Sequence, residues 1–385
     1  MFRRRLSSSS LSSSSLSSSS GGKDKFAALD VHYEGVYGIR RWEALRRALL
    51  APVRQIAWLN PFCGKKRDLL RTRHALTGCE VCVLEDDVRF QEEHGTLLVK
   101  RQEVTTQVRL NVSSQYSLDG ASVFPALALG PKKGDRVLDA CAAPGGKTLL
   151  LLDQLERLGG GTLVANEKAH KRRSRLRKVL EEYVPLDYDG KVNVQVTGLD
   201  AVDKRALAHL EPFDCILVDA PCSSERHFLR SNGASRWSPS RLKRDAQLQL
   251  AILRGLLPSL KPGGRIVYST CALANEENDD VVKEILENTK SRHGHDLTIN
   301  DPLANLTFID DDDHKDHSQQ GGHLLMAGLE RTEYGAIALP DKSKFGPLYW
   351  SSLTSLGASS PTTPRIKHSR RPRPSNENNI VAGLE

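Results

Sequence analysis

Two cysteines stand directly after short apolar segments that are predicted to be strands. Cys222 follows FDCILVDAP, and Cys271 closes GGRIVYSTC. The carboxyl ends of neighbouring parallel strands face one crevice, so we expect the two thiols to meet there. A lone cysteine is usually a small buried apolar residue. That interpretation applies to the other five, which are Cys63, Cys79, Cys82, Cys141 and Cys215. Two thiols in one crevice instead indicate covalent chemistry on a substrate.

A glycine-containing loop, Asp139 to Thr148, follows another predicted strand in the stretch RVLDACAAPGGKT. A triphosphate-binding loop would need glycine at position 141, where this chain has cysteine, and no G-x-G-x-x-G pattern follows, which argues against an ATPase or a dinucleotide enzyme. The residues Pro144, Gly145 and Gly146 would let the backbone pass close to a ligand. The helix after them would offer free N–H groups to a carboxylate.

Acidic residues follow the next predicted strands along the chain. Glu167 comes 21 residues after Gly146, and Asp200 and Asp219 end the two strands after it. An acid in the position of Glu167 typically binds ribose hydroxyls. A nucleoside that carries an amino-acid carboxylate and no phosphates is S-adenosylmethionine, which we therefore expect as the cofactor. The alternative is a structural glycine turn with ordinary surface acids.

A methyl donor beside two thiols is the arrangement that methylation of carbon 5 of cytosine would use. A thiolate that adds to carbon 6 breaks the aromaticity of the ring and makes carbon 5 nucleophilic, after which a base removes the carbon 5 proton and the thiol leaves. Lys147 would favour the thiolate electrostatically, and Asp219 would hydrogen-bond N3 and the exocyclic amine. The base must be unpaired, because stacking hides carbon 6.

Alternating predicted strands and helices from Lys132 onward must position these groups. The strands are RVLDA, GTLVANE, VNVQVTG, FDCILVDAP and GGRIVYSTC, and each is followed by a predicted helix. This alternation predicts an α/β fold, a doubly wound, Rossmann-like methyltransferase sheet with a smaller N-terminal region of helices and strands. We predict a leader at 1–22, the N-terminal region at 23–110, the methyltransferase domain at 111–352 and a disordered tail at 353–385.

Several segments outside that alternation carry their own predictions. Residues 23–60 are predicted to be helical, broken at Pro52, and residues 75–112 to form short strands. The acidic stretch at 290–322 is predicted to be a solvated insertion, with metal binding at DDDDHKDH as the alternative. YGAIALPDKSKFGPLYWSSL would supply the last strands, with antiparallel pairing as one option. The first twenty residues are rich in Arg and Ser and hold no acid, which favours a mitochondrial transit peptide over a plastid one or a low-complexity tail.

Composition narrows the choice of partners. The chain has 55 Lys and Arg against 47 Asp and Glu, a net charge of +8 that favours a polyanion. Neither a membrane span nor a disulfide framework is predicted, and a single C-x-x-C does not predict a metal site. Seven Lys or Arg fall within 168–178, either for phosphate contact or as a solvated helix face. Basic residues near 42 and at 241–244 would extend that path, and Trp42 and Trp237 would stack on bases or belong to the core.

Three motifs together resemble the Sun (Fmu-like) family of RNA cytosine-5 methyltransferases. They are DACAAPGGKT at Asp139 to Thr148, DAPCS at Asp219 to Ser223 and STCAL at Ser269 to Leu273. The resemblance implies that Cys271 is the nucleophile and that Cys222 assists product release. It also implies that S-adenosylmethionine is bound by a set of residues on the strand ends, with Glu167 where many members have Asp: Cys141, Ala142, Ala143, Pro144, Gly145, Gly146, Lys147, Glu167, Arg172, Asp200 and Asp219.

The longer stretches DAPCSSERHFLR and QYSLDGASVFPALALG look most like the mitochondrial branch of that family, which acts on small-subunit ribosomal RNA. That likeness implies location in the mitochondrial matrix and a partner, a helical-repeat protein of the mitochondrial transcription-termination family. Two other hypotheses stay open. One is a ribosome-assembly or RNA-binding factor for which catalysis is secondary, and the other is the same chemistry on transfer RNA.

Overall fold

The computed structural model describes residues 26–63, 74–76, 79–83, 112–113, 115–185, 188–231, 237–292, 295–306 and 326–358. At its centre is a mostly parallel sheet formed by β5 (Arg136–Asp139), β6 (Gly161–Asn166), β7 (Val192–Thr197), β8 (Phe213–Asp219) and β9 (Leu260–Thr270), in the order β7-β6-β5-β8-β9. These five strands pair in parallel throughout. The chain order reverses between β5 and β8, so a crevice opens at the carboxyl ends of these two strands.

The helices that follow the parallel strands cover both faces of the sheet. They are α4 (Gly146–Leu158), α5 (His170–Tyr183), α6 (Lys204–Leu207), α7 (Glu225–Arg230), α8 (Pro239–Leu256) and α9 (Asp279–Arg292). One apolar core packs α4, α5 and the preceding α3 (Val123–Leu129) against one face. A second core packs α8 and α9 on the other face. The doubly wound α/β fold predicted from the sequence is therefore confirmed.

Antiparallel strands extend the sheet beyond β9. β13 (Leu348–Ala358) pairs with β9, and β12 (Ala336–Ala338) and β11 (Leu329–Arg331) follow it outward, which confirms the predicted last strands. The rest of β13 pairs with β10 (His295–Asn300). The prediction of a solvated insertion is therefore wrong for residues 295–300, which alternate polar and apolar side chains and form a strand. The acidic DDDDHKDH stretch lies outside the described residues.

The N-terminal region begins with α1 (Ala27–Tyr37) and α2 (Ile39–Leu50), which pack into the second core. The helical break falls at Gly38 (φ +78°) instead of at Pro52. The helical prediction is wrong for β1 (Gln55–Leu59), whose partners are β4 (Gln115–Asp119) and β3 (Cys79–Val83), and β2 (His74–Leu76) completes this small antiparallel sheet.

The remaining predictions for this region concern residues that the structure leaves out. The leader at 1–22, the predicted strands between 84 and 110 and residues 359–385 of the predicted tail lie outside the described residues. The prediction of disorder is wrong for residues 353–358, which form the end of β13 and pair with β9 and β10. Within the described ranges, no helix combines the length and apolar character needed to cross a bilayer. The same ranges contain no cluster of three or more His, Cys, Asp or Glu side chains arranged to hold a metal ion.

Candidate active site

The two cysteines predicted to converge do meet at the carboxyl edge of the sheet. Asp219, the last residue of β8, pairs with Ser269 of β9, and the chains that leave these strands carry Cys222 and Cys271. The two Sγ atoms are 2.8 Å apart, and the backbone N–H of Cys271 donates to Sγ of Cys222 at 3.3 Å. Both thiols are free and partly exposed. The structure therefore presents two interacting thiols at the predicted edge.

The two thiols have pKa values that move in opposite directions. The hydrogen bond from Cys222 lowers the pKa of Cys271 most, burial opposes that effect, and the hydroxyl of Ser224 lowers the pKa further. The same bond, followed by burial, raises the pKa of Cys222 well above its ordinary value. The pair therefore favours a thiolate on Cys271 and a neutral thiol on Cys222.

An ion pair lies near the thiols, at the end of β8. Lys147 Nζ is 2.8 Å from Asp219 Oδ2, and the hydroxyl of Ser269 donates to Oδ1 of the same carboxylate at 3.1 Å. Burial is the largest single effect and lowers the pKa of Lys147, but the charge and hydrogen bond of Asp219, together with the charge of Asp139, outweigh it and raise the pKa above its ordinary value. The ammonium group is therefore charged, and the aspartate is fixed in one orientation.

The loop from Asp139 to Thr148 leaves β5 and enters α4 with little free space around its glycines. Gly145 has φ +125°, and a side chain there would press on Val179 of α5 at 3.0 Å. A Cβ on Gly146 would lie 2.8 Å from the ring of Tyr116. These nearest neighbours are protein atoms, so packing against α5 and β4 already requires both glycines. The close approach to a ligand that the sequence suggested is not needed to explain them.

The start of the same loop is anchored to the sheet. Asp139 is completely buried and accepts a hydrogen bond from Thr148 Oγ1 at 2.7 Å, and burial raises its pKa to about 7. The backbone N–H of Ala142 donates to Asn166 O at 2.8 Å. Cys141 is a partly buried thiol whose pKa burial raises strongly. Its structure therefore agrees with the apolar role expected for a lone cysteine.

The acids at the ends of β6 and β7 are engaged by basic residues of the segment that enters α5. Glu167 is 5% exposed; its Oε1 accepts from the backbone of Ala169, and its Oε2 lies 3.4 Å from Arg172 Nε. Arg172 also donates to the carbonyl of Ala143 at 2.8 Å, so it links the loop to Glu167. Asp200 pairs with Lys168, which lowers the pKa of this aspartate. These predicted cofactor residues therefore line neighbouring strand ends.

A cleft of about 700 Å³ opens at this edge of the sheet, and both thiols and Arg172 line it. Five residues named from the sequence line it, namely Lys147, Arg172, Asp219, Cys222 and Cys271. Glu167 and Asp200 do not belong to its lining and lie beside it at the ends of β6 and β7. A ligand on these strand ends would thus approach the cleft from the side of Arg172.

Other cleft residues were missed by the sequence reasoning. Ser224, Arg226, His227 and Arg230 line the cleft, and all follow DAPCS directly, so their nearness to the motif was the available signal. Arg226 Nη1 lies 3.3 Å from Oδ2 of Asp119, the last residue of β4. Burial lowers the pKa of Arg226. Arg226 and Arg230 thus line the cleft as cationic side chains in addition to Lys147 and Arg172.

The basic stretches predicted to hold RNA divide into exposed and paired groups. In α5, Lys171, Arg175, Arg177 and Lys178 are exposed. In the other stretches Arg41 pairs with Glu330 and Asp341, and Arg241 and Arg244 pair with Asp245, while Arg40, Arg47 and Lys243 are exposed. Both tryptophans are core residues, with Trp42 1% and Trp237 5% exposed. Base stacking by these two rings is therefore excluded in this structure.

The fold and the cleft define a doubly wound, Rossmann-like domain with a crevice at the carboxyl ends of its strands. The family model described as 16S rRNA methyltransferase RsmB/F matches residues 126–314 of this chain. The solved structure of a methyltransferase homolog protein from Pyrococcus horikoshii shares the fold, with a TM-score of 0.55 and 22% identity over 84% of this chain and 92% of that one.

Two curated relatives have closer sequences. The 5-cytosine rRNA methyltransferase NSUN4 of Bos taurus is 41% identical over 250 residues, which is 63% of this chain and 60% of the relative. The mitochondrial tRNA (cytosine(34)-C(5))-methyltransferase of Danio rerio is 34% identical over 247 residues, 63% of this chain and 60% of that protein. The chain thus spans about three fifths of the length of these relatives.

Proposed function

We propose that this chain is an S-adenosylmethionine-dependent RNA methyltransferase that forms 5-methylcytosine through a covalent adduct on Cys271. The observation that supports this most is the thiol pair, 2.8 Å apart in one cleft with the Lys147–Asp219 ion pair. A binding module has no need of two thiols whose pKa values are driven apart. The family model that matches residues 126–314 supports the same reaction class.

The strand ends fit the proposed cofactor in one respect that the structure shows. Glu167 is buried, yet its Oε2 accepts no hydrogen bond, and a buried carboxylate oxygen normally does. A ribose hydroxyl would supply that donor. Lys147, Arg172 and the loop Cys141–Gly146 would hold the rest of the molecule, with Asp200 and Asp219 on its other strand ends. When bound, S-adenosylmethionine supplies the methyl group as an electrophile on sulfur.

The chain's own groups would then act in order. The Cys271 thiolate adds to carbon 6 of cytosine, Asp219, fixed by Lys147 and Ser269, accepts a hydrogen bond from the exocyclic amine, and the Lys147 ammonium stabilises the negative charge that develops on the ring. After carbon 5 has gained the methyl group, a base removes its proton and the C6–S bond breaks. Cys222, held neutral by its raised pKa, donates a hydrogen bond to the departing sulfur.

The target we propose is small-subunit ribosomal RNA in the mitochondrial matrix. The names of the bovine and zebrafish relatives and the Arg- and Ser-rich first twenty residues support this choice. Exposed cations on α5 beside the cleft would contact RNA phosphates, which give affinity without sequence choice. Target choice would then come from RNA shape and a helical-repeat protein partner. The zebrafish relative's name keeps transfer RNA as a second candidate substrate.

Purified protein, tritiated S-adenosylmethionine and transcripts of small-subunit ribosomal RNA and of transfer RNA test the proposal. We expect label in 5-methylcytosine after digestion to nucleosides, preferentially from the ribosomal transcript. Cys271→Ala should lower transfer by about a thousandfold or more while cofactor binding, measured by calorimetry, survives. Full activity in this variant, or label on another atom, would overturn the mechanism. Ribosome assembly rescued by Cys271→Ala in cells would instead favour the assembly-factor hypothesis.

A further inference from the structure

A buried carboxylate lies directly behind the two thiols. Glu225 begins α7, three residues after Cys222, and is 0% exposed. Its Oε1 accepts hydrogen bonds from Tyr33 Oη at 2.9 Å and from the hydroxyl of Ser223, and its Oε2 accepts from the backbone N–H of Leu273 at 3.0 Å. None of these contacts has a role in the reaction proposed above.

Two of the partners of Glu225, Ser223 and Leu273, belong to the two loops that carry the thiols. Ser223 follows Cys222, and Leu273 comes two residues after Cys271. The loops leave two different strands, so their relative position beyond the sheet depends on contacts of this kind. Each oxygen of one rigid carboxylate accepts from a different loop, and hydrogen bonds to a charged acceptor are the stronger ones. Glu225 thus joins the loops at a fixed separation.

The turn between Cys222 and Glu225 is strained. Ser224 has φ +54° and ψ +66°, a left-handed conformation that a residue with a Cβ rarely adopts. Strain of this kind persists only where the surroundings hold it. Here the backbone N–H of Ser223 donates to Glu277 Oε2 at 3.0 Å on one side, and Glu225 is fixed on the other. The strained conformation places Ser224 in the cleft lining, beside Cys271.

Helix α1 reaches the same point from the N-terminal region. Tyr33 is 0% exposed and packs its ring against Trp42 and Trp237. Four residues later, one turn along the helix, Tyr37 Oη donates to the carbonyl of Leu273 at 2.9 Å. Two tyrosines of one helix therefore bind the carboxylate and the loop of Cys271, although α1 lies outside the residues that the family model matches.

We propose that Glu225, held by Tyr33, is a positioning residue that sets the geometry of the Cys222–Cys271 pair and keeps Ser224 in its left-handed conformation. Helix α1 is then part of the active-site scaffold. The inference rests on the proposed roles of the two thiols. It differs from a purely structural role for Glu225, because it requires the state of the Cys271 thiol to change when the carboxylate loses its anchor.

The variant Tyr33→Phe tests this with the smallest change, since it removes one hydroxyl and keeps the ring. Its matched control is Tyr349→Phe, which removes another buried tyrosine hydroxyl that donates to a carboxylate, Asp279, at 2.7 Å. Two quantities are measured in each protein. One is the pH dependence of Cys271 alkylation by iodoacetamide, followed by peptide mass spectrometry, and the other is kcat and KM for RNA methylation.

For Tyr33→Phe we expect the alkylation midpoint of Cys271 to move to higher pH and kcat to fall by about tenfold, the size of one hydrogen bond, with KM for RNA unchanged. The control should keep the wild-type midpoint and kcat. Glu225→Gln, which also breaks the bond to one loop, should lower kcat further, while the loss of the Glu225 charge, which itself raises the pKa of Cys271, opposes the shift of the midpoint. The inference is overturned if Tyr33→Phe loses only thermal stability, as the control does, and keeps both its midpoint and kcat.

The alkylation arm needs no methyl transfer, so it separates the two hypotheses. If the wild-type protein methylates no RNA, the proposed function fails, and the midpoints still decide whether Glu225 positions the thiols. If methylation occurs and the midpoints of Tyr33→Phe and Glu225→Gln equal that of the wild type, only the positioning role is lost.

Discussion

The Sγ atoms of Cys222 and Cys271 lie 2.8 Å apart, although 49 residues separate them in the chain. Their pairing follows from the sheet, since β8 and β9 are parallel neighbours that end in register at Asp219 and Ser269. Contact between the thiols makes their chemistry interdependent: the bond that lowers the pKa of Cys271 raises that of Cys222. Cys271→Ala should therefore abolish the addition step, whereas Cys222→Ala should slow release of the product and also raise the pKa of the Cys271 thiol.

Replacing the second thiol should trap the reaction after methyl transfer. In Cys222→Ala the departing sulfur of Cys271 loses its hydrogen-bond donor, so the C6–S bond should break slowly and a protein–RNA adduct should accumulate. A denaturing gel with labelled RNA measures this as a band of reduced mobility. Cys271→Ala and the double variant are the controls and should show no such band. Absence of the band in Cys222→Ala, with turnover at the wild-type rate, would refute the division of labour between the thiols.

Hydrogen peroxide should convert the same two thiols into a disulfide. The Cys271 thiolate attacks peroxide and becomes a sulfenic acid, and the Cys222 thiol then displaces water to form a disulfide, so two thiols lose two hydrogen atoms. Peptide mass spectrometry should find the 222–271 crosslink, and dithiothreitol should restore methylation. Among the other free thiols in the described residues, burial raises the pKa of Cys215 to about 12 and that of Cys141 further, so both should react slowly.

The variant Cys222→Ala is the control for peroxide, because its sulfenic acid lacks a thiol to resolve it. We expect dimedone to label Cys271 in this variant and to label it little in the wild type. Loss of wild-type activity without a crosslink between positions 222 and 271 would contradict the prediction.

The parts of the site that follow strand ends could be predicted from the sequence. Cys222, Cys271 and Asp219 each end an apolar segment of a regular strand–helix alternation, and parallel strands bring such positions to one edge. The loop at Gly145 was located for a similar reason. Its glycines, however, are required because Val179 and Tyr116 pack closely against them, and this packing of α5 and β4 is visible only in the folded structure.

The parts that depend on distant neighbours could not be predicted. β1 is a short apolar segment that pairs with β4, about 60 residues further on, and local spacing does not distinguish it from the end of a helix. From the sequence alone, Glu225 is predicted to be an ordinary acidic residue in the first turn of a helix. Its role depends on Tyr33, 192 residues away, and on Leu273 from another strand end.

The stability of the fold should depend on pH through Glu277, the carboxylate that holds Ser223. Burial raises the pKa of Glu277 from 4.5 to about 7 in the folded protein. Between these values the folded protein keeps a proton that the unfolded chain releases, so the contribution of Glu277 to stability should be complete below pH 4.5 and should fall as the pH rises through 7, by at most about 3 kcal/mol.

Glu277→Gln keeps a neutral group at every pH. The free energy of unfolding of this variant, measured by urea denaturation, should therefore increase relative to that of the wild type as the pH rises from 5 to 8. Glu211→Gln, at a carboxylate 84% exposed, is the control and should show no such gain. A difference between Glu277→Gln and the wild type that stays constant with pH would show that Glu277 is ionised throughout.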